Sequence, residues 1–215
     1  MTAFPLFVDL KGKKCVVAGG GKVAARKIET LVLFNAEITV VSPQVTESIV
    51  EQERLGKLAY REKPYSDTDI EGAFLVVAAT SSRQVNDKIY EDAVSRGIFV
   101  NVADSPEKCT FIFPSVVKRD ELVIGICTSG NYPLLSKSVR EKLDNMLPRN
   151  LDGRVNGILG EYRRKALDKM KNEEKRQEFL KKMLDEVLSD ELSDIEPLRA
   201  KIEKIFGDYE NEKDS

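Results

Sequence analysis

The chain has 215 residues, 41% of them hydrophobic, which is enough for a buried core and fits one large domain or two small ones. Its 34 basic and 36 acidic side chains nearly cancel, so no global field demands nucleic acid or an anionic membrane, and any basic patch must be local. There is no histidine, which excludes the commonest general base and metal ligand and leaves chemistry to carboxylates, hydroxyls, amines or a cofactor.

Cys15, Cys109 and Cys127 lie far apart without C-x-x-C spacing, which suggests neither a disulfide framework nor a zinc site. Each sits in an apolar stretch and is expected to be a small buried hydrophobe. Met1 to Asp9 carry no basic segment followed by a long apolar one, and no run approaches the ~20 residues of a membrane span. A soluble cytoplasmic protein is the expectation.

The first predicted strand, Cys15 to Ala18, is continuously apolar, as suits a central parallel strand covered on both faces. It runs into Gly19-Gly20-Gly21-Lys22-Val23-Ala24. Gly19 and Gly21 occupy the first two positions of G-x-G-x-x-G/A, for a tight turn and for close approach of backbone to a pyrophosphate, and Ala24 takes the third. Val23, Ile28, Leu31 and Val32 recur at helical spacing, so the glycines lie at a helix N-terminus, where free N–H groups favour an anion. Glu37 to Val41 is a second strand, ending in a turn at Ser42-Pro43. A dinucleotide site usually offers the ribose a carboxylate about 20 residues past the glycines. Ser42 and Gln44 stand there instead, so a neutral ribose contact is expected.

Val45 to Leu55 is a predicted helix opened by Thr46 and Glu47, and Leu58 to Glu62 a third, outer strand. Phe74 to Ala79 is another apolar strand, ending at Thr80-Ser81-Ser82. Val85 to Arg96 is an amphipathic helix closed by Gly97. Phe99 to Val102 is a short strand that finishes in Asn101-Val102-Ala103-Asp104. This alternation predicts a parallel sheet with helices on both faces. Ligands of such sheets bind beyond the carboxyl ends of the strands. Gly19 to Val23, Ser42 to Gln44, Thr80 to Ser82 and Asn101 to Asp104 are therefore expected around one crevice.

The pattern then changes. Phe111 to Val117 and Leu122 to Cys127 are β-type runs separated by the charged turn Lys118-Arg119-Asp120-Glu121, which predicts a hairpin offering an edge or face to a partner subunit. A polar loop, Thr128 to Pro133, leads to a helix from about Leu134 to Leu147 that Pro148 stops. From Leu151 the chain is helical and highly charged, with Leu159, Tyr162, Ala166 and Met170 as one stripe and Phe179, Leu180, Met183, Leu184, Val187 and Leu188 as another. A last helix covers about Ile195 to Phe206, and the polar tail from Gly207 is expected to be disordered. The lysines and arginines of Arg163 to Lys182 alternate with glutamates and lack an aromatic platform, which fits a solvated helix face and no nucleic acid.

These blocks, in this order and spacing, resemble the dehydrogenase/ferrochelatase module of the siroheme synthase family, also found as stand-alone precorrin-2 dehydrogenase. The resemblance rests on Pro5-Leu6-Phe7, the glycine turn with Arg26-Lys27, Ala78-Ala79-Thr80, Val85-Asn86, Asn101 to Asp104, Phe111 to Ser115, and Thr128-Ser129-Gly130 through Pro133 with Arg140 to Leu143. It covers the first ~150 residues distinctively and the helical remainder less so. It implies a Rossmann-type α/β domain binding NAD over residues 1–113, a small β-hairpin dimerisation region over 114–147, a C-terminal helical domain over 148–207 and a tail over 208–215, in a homodimer with exchanged elements. It implies oxidation of precorrin-2 to sirohydrochlorin by NAD⁺ and, in bifunctional members, insertion of Fe²⁺ as a substrate to give siroheme. No methyltransferase domain follows before Ser215, so a stand-alone form is expected.

By resemblance, Gly19, Gly20, Gly21, Lys22, Val23, Ser42, Pro43, Gln44, Thr80, Ser81 and Asn101 would hold the cofactor. Asp104 would be the residue associated with both activities, as the base that takes a proton while the nicotinamide accepts a hydride. Thr128, Ser129 and Gly130 would lie at the tetrapyrrole, where family members can carry a phosphorylated serine at the position of Thr128. The eight carboxylates of precorrin-2 call for cations. Lys137 and Arg140 are candidates, with Lys118 and Arg119. No protein metal site is needed, because the macrocycle's own nitrogens would bind iron. A second class of function fits the same glycine turn and hairpin, namely a regulatory NAD(H)-binding module that senses redox state without tetrapyrrole chemistry.

Overall fold

The computed structural model of the chain describes residues 3–148, 151–189 and 195–211. The chain divides into two compact units, one comprising Met1–Phe113 with Ser129–Asn131, the other Pro114–Thr128 with Tyr132–Ser215.

The first unit is built on five parallel strands: β1 (Lys14–Ala18), β2 (Glu37–Ser42), β3 (Ala59–Glu62), β4 (Leu75–Ala78) and β5 (Phe99–Val102). Their order is β3-β2-β1-β4-β5. Alternation along the strands divides their apolar side chains between two layers. Cys15, Val17, Ile38, Val40, Leu75 and Val77 face one side with Ala24, Ala25, Ile28 and Leu31 of helix α1 (Lys22–Leu33) and Ile49 of helix α2 (Glu47–Arg54). Val16, Ala18, Val41, Val76, Ala78, Val100 and Val102 face the other with Ile89 and Ala93 of helix α3 (Arg83–Ser95). Continuous apolarity in β1 and β4 thus reflects burial on both faces. Gly97, at φ 67°, closes α3 in the left-handed conformation that a glycine adopts without a Cβ penalty.

The register fixes the crevice. Ala18 lies beside Val41 on one side and Ala78 on the other, and Ala78 beside Val102. The chain order reverses at β1, so the carboxyl ends of β1 and β4 flank the switch point where such sheets bind ligands.

Two expectations about this region change. Phe111 to Pro114 is not strand. Thr110 instead exchanges hydrogen bonds with Val100 at the free edge of β5, while Phe111 and Phe113 turn their rings onto the first core. The apolar residues are used to cover an edge, which protects its unpaired backbone groups. Cys127 is exposed, whereas Cys15 and Cys109 are buried as expected.

The second unit opens with an antiparallel hairpin of β6 (Ser115–Arg119) and β7 (Leu122–Ile126). Lys118 and Arg119 belong to β6, so the turn shortens to Asp120-Glu121, with Asp120 at φ 52°. Helix α4 (Pro133–Met146) begins on the proline, whose missing N–H is harmless in a first turn. Helices α5 (Gly153–Lys169), α6 (Glu173–Leu188) and α7 (Ile195–Asn211) enclose a core of Tyr162, Phe179, Met183, Ile202 and Phe206, with Phe206 meeting both Tyr162 and Phe179 edge-on. The expected second stripe is narrower than its sequence, since Leu184 and Leu188 are half-exposed. Residues Gly207 to Asn211, expected to be disordered, continue α7, and Tyr209 stacks edge-on against Phe179. The rest of that expected tail lies outside the described residues.

Candidate active site

The three glycines after β1 are neighbours with different physical reasons. Gly19 has φ 121°, and a Cβ there would collide with the Ala79 carbonyl oxygen. Its N–H donates to Val41 O at 2.9 Å. Gly20 lies against the loop after β2, where a Cβ would collide with the Gln44 carbonyl oxygen. Gly21 caps α1 at φ −84°, and a Cβ there would meet nothing within 4 Å. The first two glycines are required by the fold, and the third faces open space. No side chain caps α1 and no acidic residue stands in its first turn, so the N–H groups beginning at Lys22 and Val23, both exposed, keep their affinity for an anion.

The loops on either side are internally braced. The Ser42 hydroxyl donates to Gln44 O at 2.6 Å and the Tyr60 hydroxyl donates to Ser42 O at 3.0 Å, so Ser42 shapes the turn while Pro43 and Gln44 are exposed. After β4, the buried Asn86 accepts from the Thr80 N–H (3.1 Å) and hydroxyl (2.7 Å) and donates to the Thr80 carbonyl (3.2 Å). Ser81 is exposed. Asn86 has no expected role from the sequence beyond its place in the resemblance. The signal was available, because a polar residue there shares the buried face of α3 with Ile89 and Ala93.

After β5, Asn101 turns its amide inward and donates to Phe111 O at 3.0 Å and Cys109 Sγ at 3.5 Å. Its side chain therefore organises the turn from within. Cys109 completes that turn. Its Sγ accepts from the Val102 N–H at 3.3 Å and lies 3.4 Å from Val102 O and 3.3 Å from Ser105 O, as a thiol donor would. Burial raises the thiol pKa, opposed by the Val102 hydrogen bond and nearby Lys27. This places Asp104 at φ 61°, exposed, in a left-handed conformation that aspartate tolerates better than most residues. Among the described residues, its carboxylate makes no hydrogen bond or ion pair.

Ser129–Asn131 belong to this same unit although their sequence neighbours do not. The Cα of Gly130 faces Pro106, whose ring carbons would lie 3.8 Å from a Cβ there. Ser129 and Gly130, at φ 53° and 79°, are thereby brought beside the turn that carries Asp104.

The remaining expected residues lie in the second unit. The Thr128 hydroxyl donates to Tyr132 O at 3.2 Å. Lys137 and Arg140 stand one turn apart on α4 and share Glu141, at 4.0 and 3.2 Å. Arg119 is not available to meet substrate carboxylates. Its guanidinium, 18% exposed, grips Asp144 Oδ1 at 2.9 Å, Asp144 O at 2.6 Å and Pro148 O at 2.6 Å. Lys118 Nζ donates to Asp120 O at 2.8 Å. Among the described residues, no three His, Cys, Asp or Glu side chains gather to hold a metal, and no helix is long and apolar enough to cross a membrane.

A parallel sheet with a glycine turn at its switch point defines a nucleotide-binding α/β protein. The chain belongs to the family described as putative NAD(P)-binding, whose model matches residues 6–115. It is 39% identical over 188 residues to siroheme synthase of Nitrosospira multiformis, covering 86% of this chain and 40% of that protein. It is 34% identical over 192 residues to siroheme synthase of Ruthia magnifica, covering 89% and 40%. The chain thus spans about two fifths of the length of these curated relatives. Among solved structures it resembles SirC, precorrin-2 dehydrogenase, with a TM-score of 0.71 and 29% identity, covering 94% of this chain and all of the other.

Proposed function

We propose that this protein dehydrogenates precorrin-2 to sirohydrochlorin in siroheme biosynthesis, with NAD⁺ as the preferred nicotinamide cofactor. The observation that carries the proposal lies within the first unit, where a glycine turn whose third glycine faces open space accompanies the turn of Asp104, itself beside Ser129–Asn131. The similarity to SirC along nearly the whole chain supports the substrate.

The residues fit the cofactor, because the space a Cβ would occupy at Gly21 is open and α1 begins there without an acidic or capping side chain. When bound, the nicotinamide supplies the hydride acceptor. Gly21, Lys22 and Val23 offer backbone N–H groups to the pyrophosphate. Pro43 and Gln44 would border the ribose without a carboxylate, Thr80 and Ser81 would border the nicotinamide half, and Asn101 braces the turn after β5 from inside. Desaturation removes a hydride equivalent and a proton from the substrate, and Asp104 takes the proton at its carboxylate. Thr128, Ser129 and Gly130 border the macrocycle, and Lys137 and Arg140 meet its carboxylates. We extend the proposal to a cytoplasmic homodimer and to insertion of Fe²⁺, as substrate, into sirohydrochlorin.

Purified protein given precorrin-2 and NAD⁺ is expected to produce the absorbance of sirohydrochlorin together with NADH, faster than with NADP⁺. Nucleotide binding without turnover on either cofactor would reject the proposal in favour of a regulatory module. Sirohydrochlorin with Fe²⁺ tests the second activity, and a rate no higher than the protein-free control would restrict the protein to oxidation. Light scattering in solution tests the dimer.

A further inference from the structure

In the first unit, four lysines are less than fully exposed: Lys14, Lys27, Lys63 and Lys108. Three of them hold an oxygen. Lys14 Nζ donates to Glu71 O at 2.5 Å, Lys63 pairs with Asp69 at 2.6 Å and Lys108 with Asp87 at 2.6 Å. Lys27 holds none. Its ammonium lies 4.1 Å from the centroid of the Phe113 ring, and among the described residues no carboxylate or carbonyl meets it. Burial lowers its pKa, as expected for a cation withdrawn from water without an anion. A ring face offsets part of that withdrawal, but a charge-assisted bond to an oxygen is the stronger interaction.

The location says what kind of oxygen is missing. Lys27 stands on α1 more than a turn beyond the open Gly21 end, where the pyrophosphate has its own backbone donors. Its charge acts on Cys109, the residue that ties β5 to the turn of Asp104, and Phe113 stacks on Phe111, whose carbonyl Asn101 holds. The ammonium is thus on the β5 side of the first unit, where Asn101 and Cys109 carry the turn of Asp104.

We propose that Lys27 is a binding residue for a carboxylate of the tetrapyrrole substrate. The proposal rests on the function proposed above. Phe113 holds the ammonium in place before the substrate arrives, and the substrate supplies the anion that the protein does not. Removing the charge while keeping the stem should weaken substrate binding and leave the cofactor alone.

The test compares Lys27→Met, Lys27→Arg and the unaltered protein in steady-state assays with precorrin-2 and NAD⁺. Lys27→Met is expected to raise KM for precorrin-2 about tenfold, the scale of one charge-assisted hydrogen bond, with KM for NAD⁺ within twofold and kcat within threefold. Lys27→Arg should recover most of the loss. A KM for precorrin-2 within twofold of the unaltered protein would overturn the proposal and leave Lys27 as a cover for Phe113. An equal rise in KM for NAD⁺ would also overturn it, by assigning the cation to the cofactor. A second measurement needs no variant. Sirohydrochlorin should protect Lys27 from acetylation in the unaltered protein, read by mass spectrometry, whereas NAD⁺ alone should not; protection by NAD⁺ alone or by neither ligand overturns the proposal. If the unaltered protein binds NAD⁺ but neither turns over precorrin-2 nor binds sirohydrochlorin, it is the proposed function that fails, and this inference with it.

Discussion

Asn86 holds Thr80 on three sides, accepting from its N–H and hydroxyl and donating to its carbonyl. One buried side chain on α3 therefore fixes the backbone at the carboxyl end of β4. Asn86→Ala is expected to destabilise the protein by about 2 kcal/mol, because it leaves the Thr80 groups unpaired beside the core. It should also weaken NAD(H) binding severalfold. Urea unfolding and fluorescence titration with NADH measure the two effects, and an unchanged midpoint would remove Asn86 as the brace.

Single alanines at Gly19, Gly20 and Gly21 should separate fold from ligand. Gly19→Ala and Gly20→Ala are expected to lower stability by more than about 3 kcal/mol, since each Cβ runs into a backbone carbonyl and Gly19 also needs φ 121°. Gly21→Ala should change stability by less than about 0.5 kcal/mol and lower cofactor affinity at least about tenfold. Thermal unfolding and calorimetric titration of NAD⁺ on the three variants check this, and intact binding by Gly21→Ala would move the pyrophosphate elsewhere.

Asp104→Asn keeps a side chain that tolerates φ 61° and removes the charge. It is expected to lower kcat on the order of 100-fold, with NAD⁺ affinity within twofold. Stopped-flow absorbance with precorrin-2 measures the first and NADH titration the second. An unaffected rate would assign the proton to another group or to water.

Alkaline pH should unfold the first unit through its thiols. Burial pushes Cys15 up to about 12, whereas an unfolded thiol ionises near about 8.5. Below the unfolded value both states keep the proton and stability is at its full level. Above it the unfolded chain loses a proton that the native chain retains, so stability falls by up to about 1.4 kcal/mol per pH unit until the native thiol ionises as well. Burial raises Cys109 and Tyr65 in the same direction. Urea midpoints between pH 8 and pH 11 should fall accordingly, and Cys15→Ala should make the slope shallower even though it starts from lower stability.

Much of the sheet was legible because its information is local. Apolar runs bounded by Gly19, Ser42, Thr80 and Asp104 identify strands buried on both faces, and all four boundaries fall at carboxyl ends in one register. What escaped depends on partners distant in sequence. Phe111 to Pro114 has β-type composition, yet Val100 and Asn101 draw it onto the edge of β5 as a cover. Arg119 looked like a surface cation in a turn, but it belongs to β6 and holds carbonyls at Asp144 and Pro148. Within the candidate site, the glycines and Asp104 could be named from residue type and order, and Ser129–Gly130 from the family resemblance. The inward turn of Asn101 could not, because a polar side chain does not announce whether it faces a ligand or the backbone, and Asn86 was legible only as a polar residue on the buried face of α3.

The brace at Thr80 bears also on how the protein meets its cofactor. Together with the Ser42 bond to Gln44 and the Cys109 contacts with Val102 and Ser105, it leaves little of the crevice rim to be ordered by a ligand. Association should then lose little conformational entropy in the protein, and it should proceed as a single diffusional step without a slow closing phase. The chain has in effect moved the ordering of its nucleotide site from the moment of binding to the moment of folding.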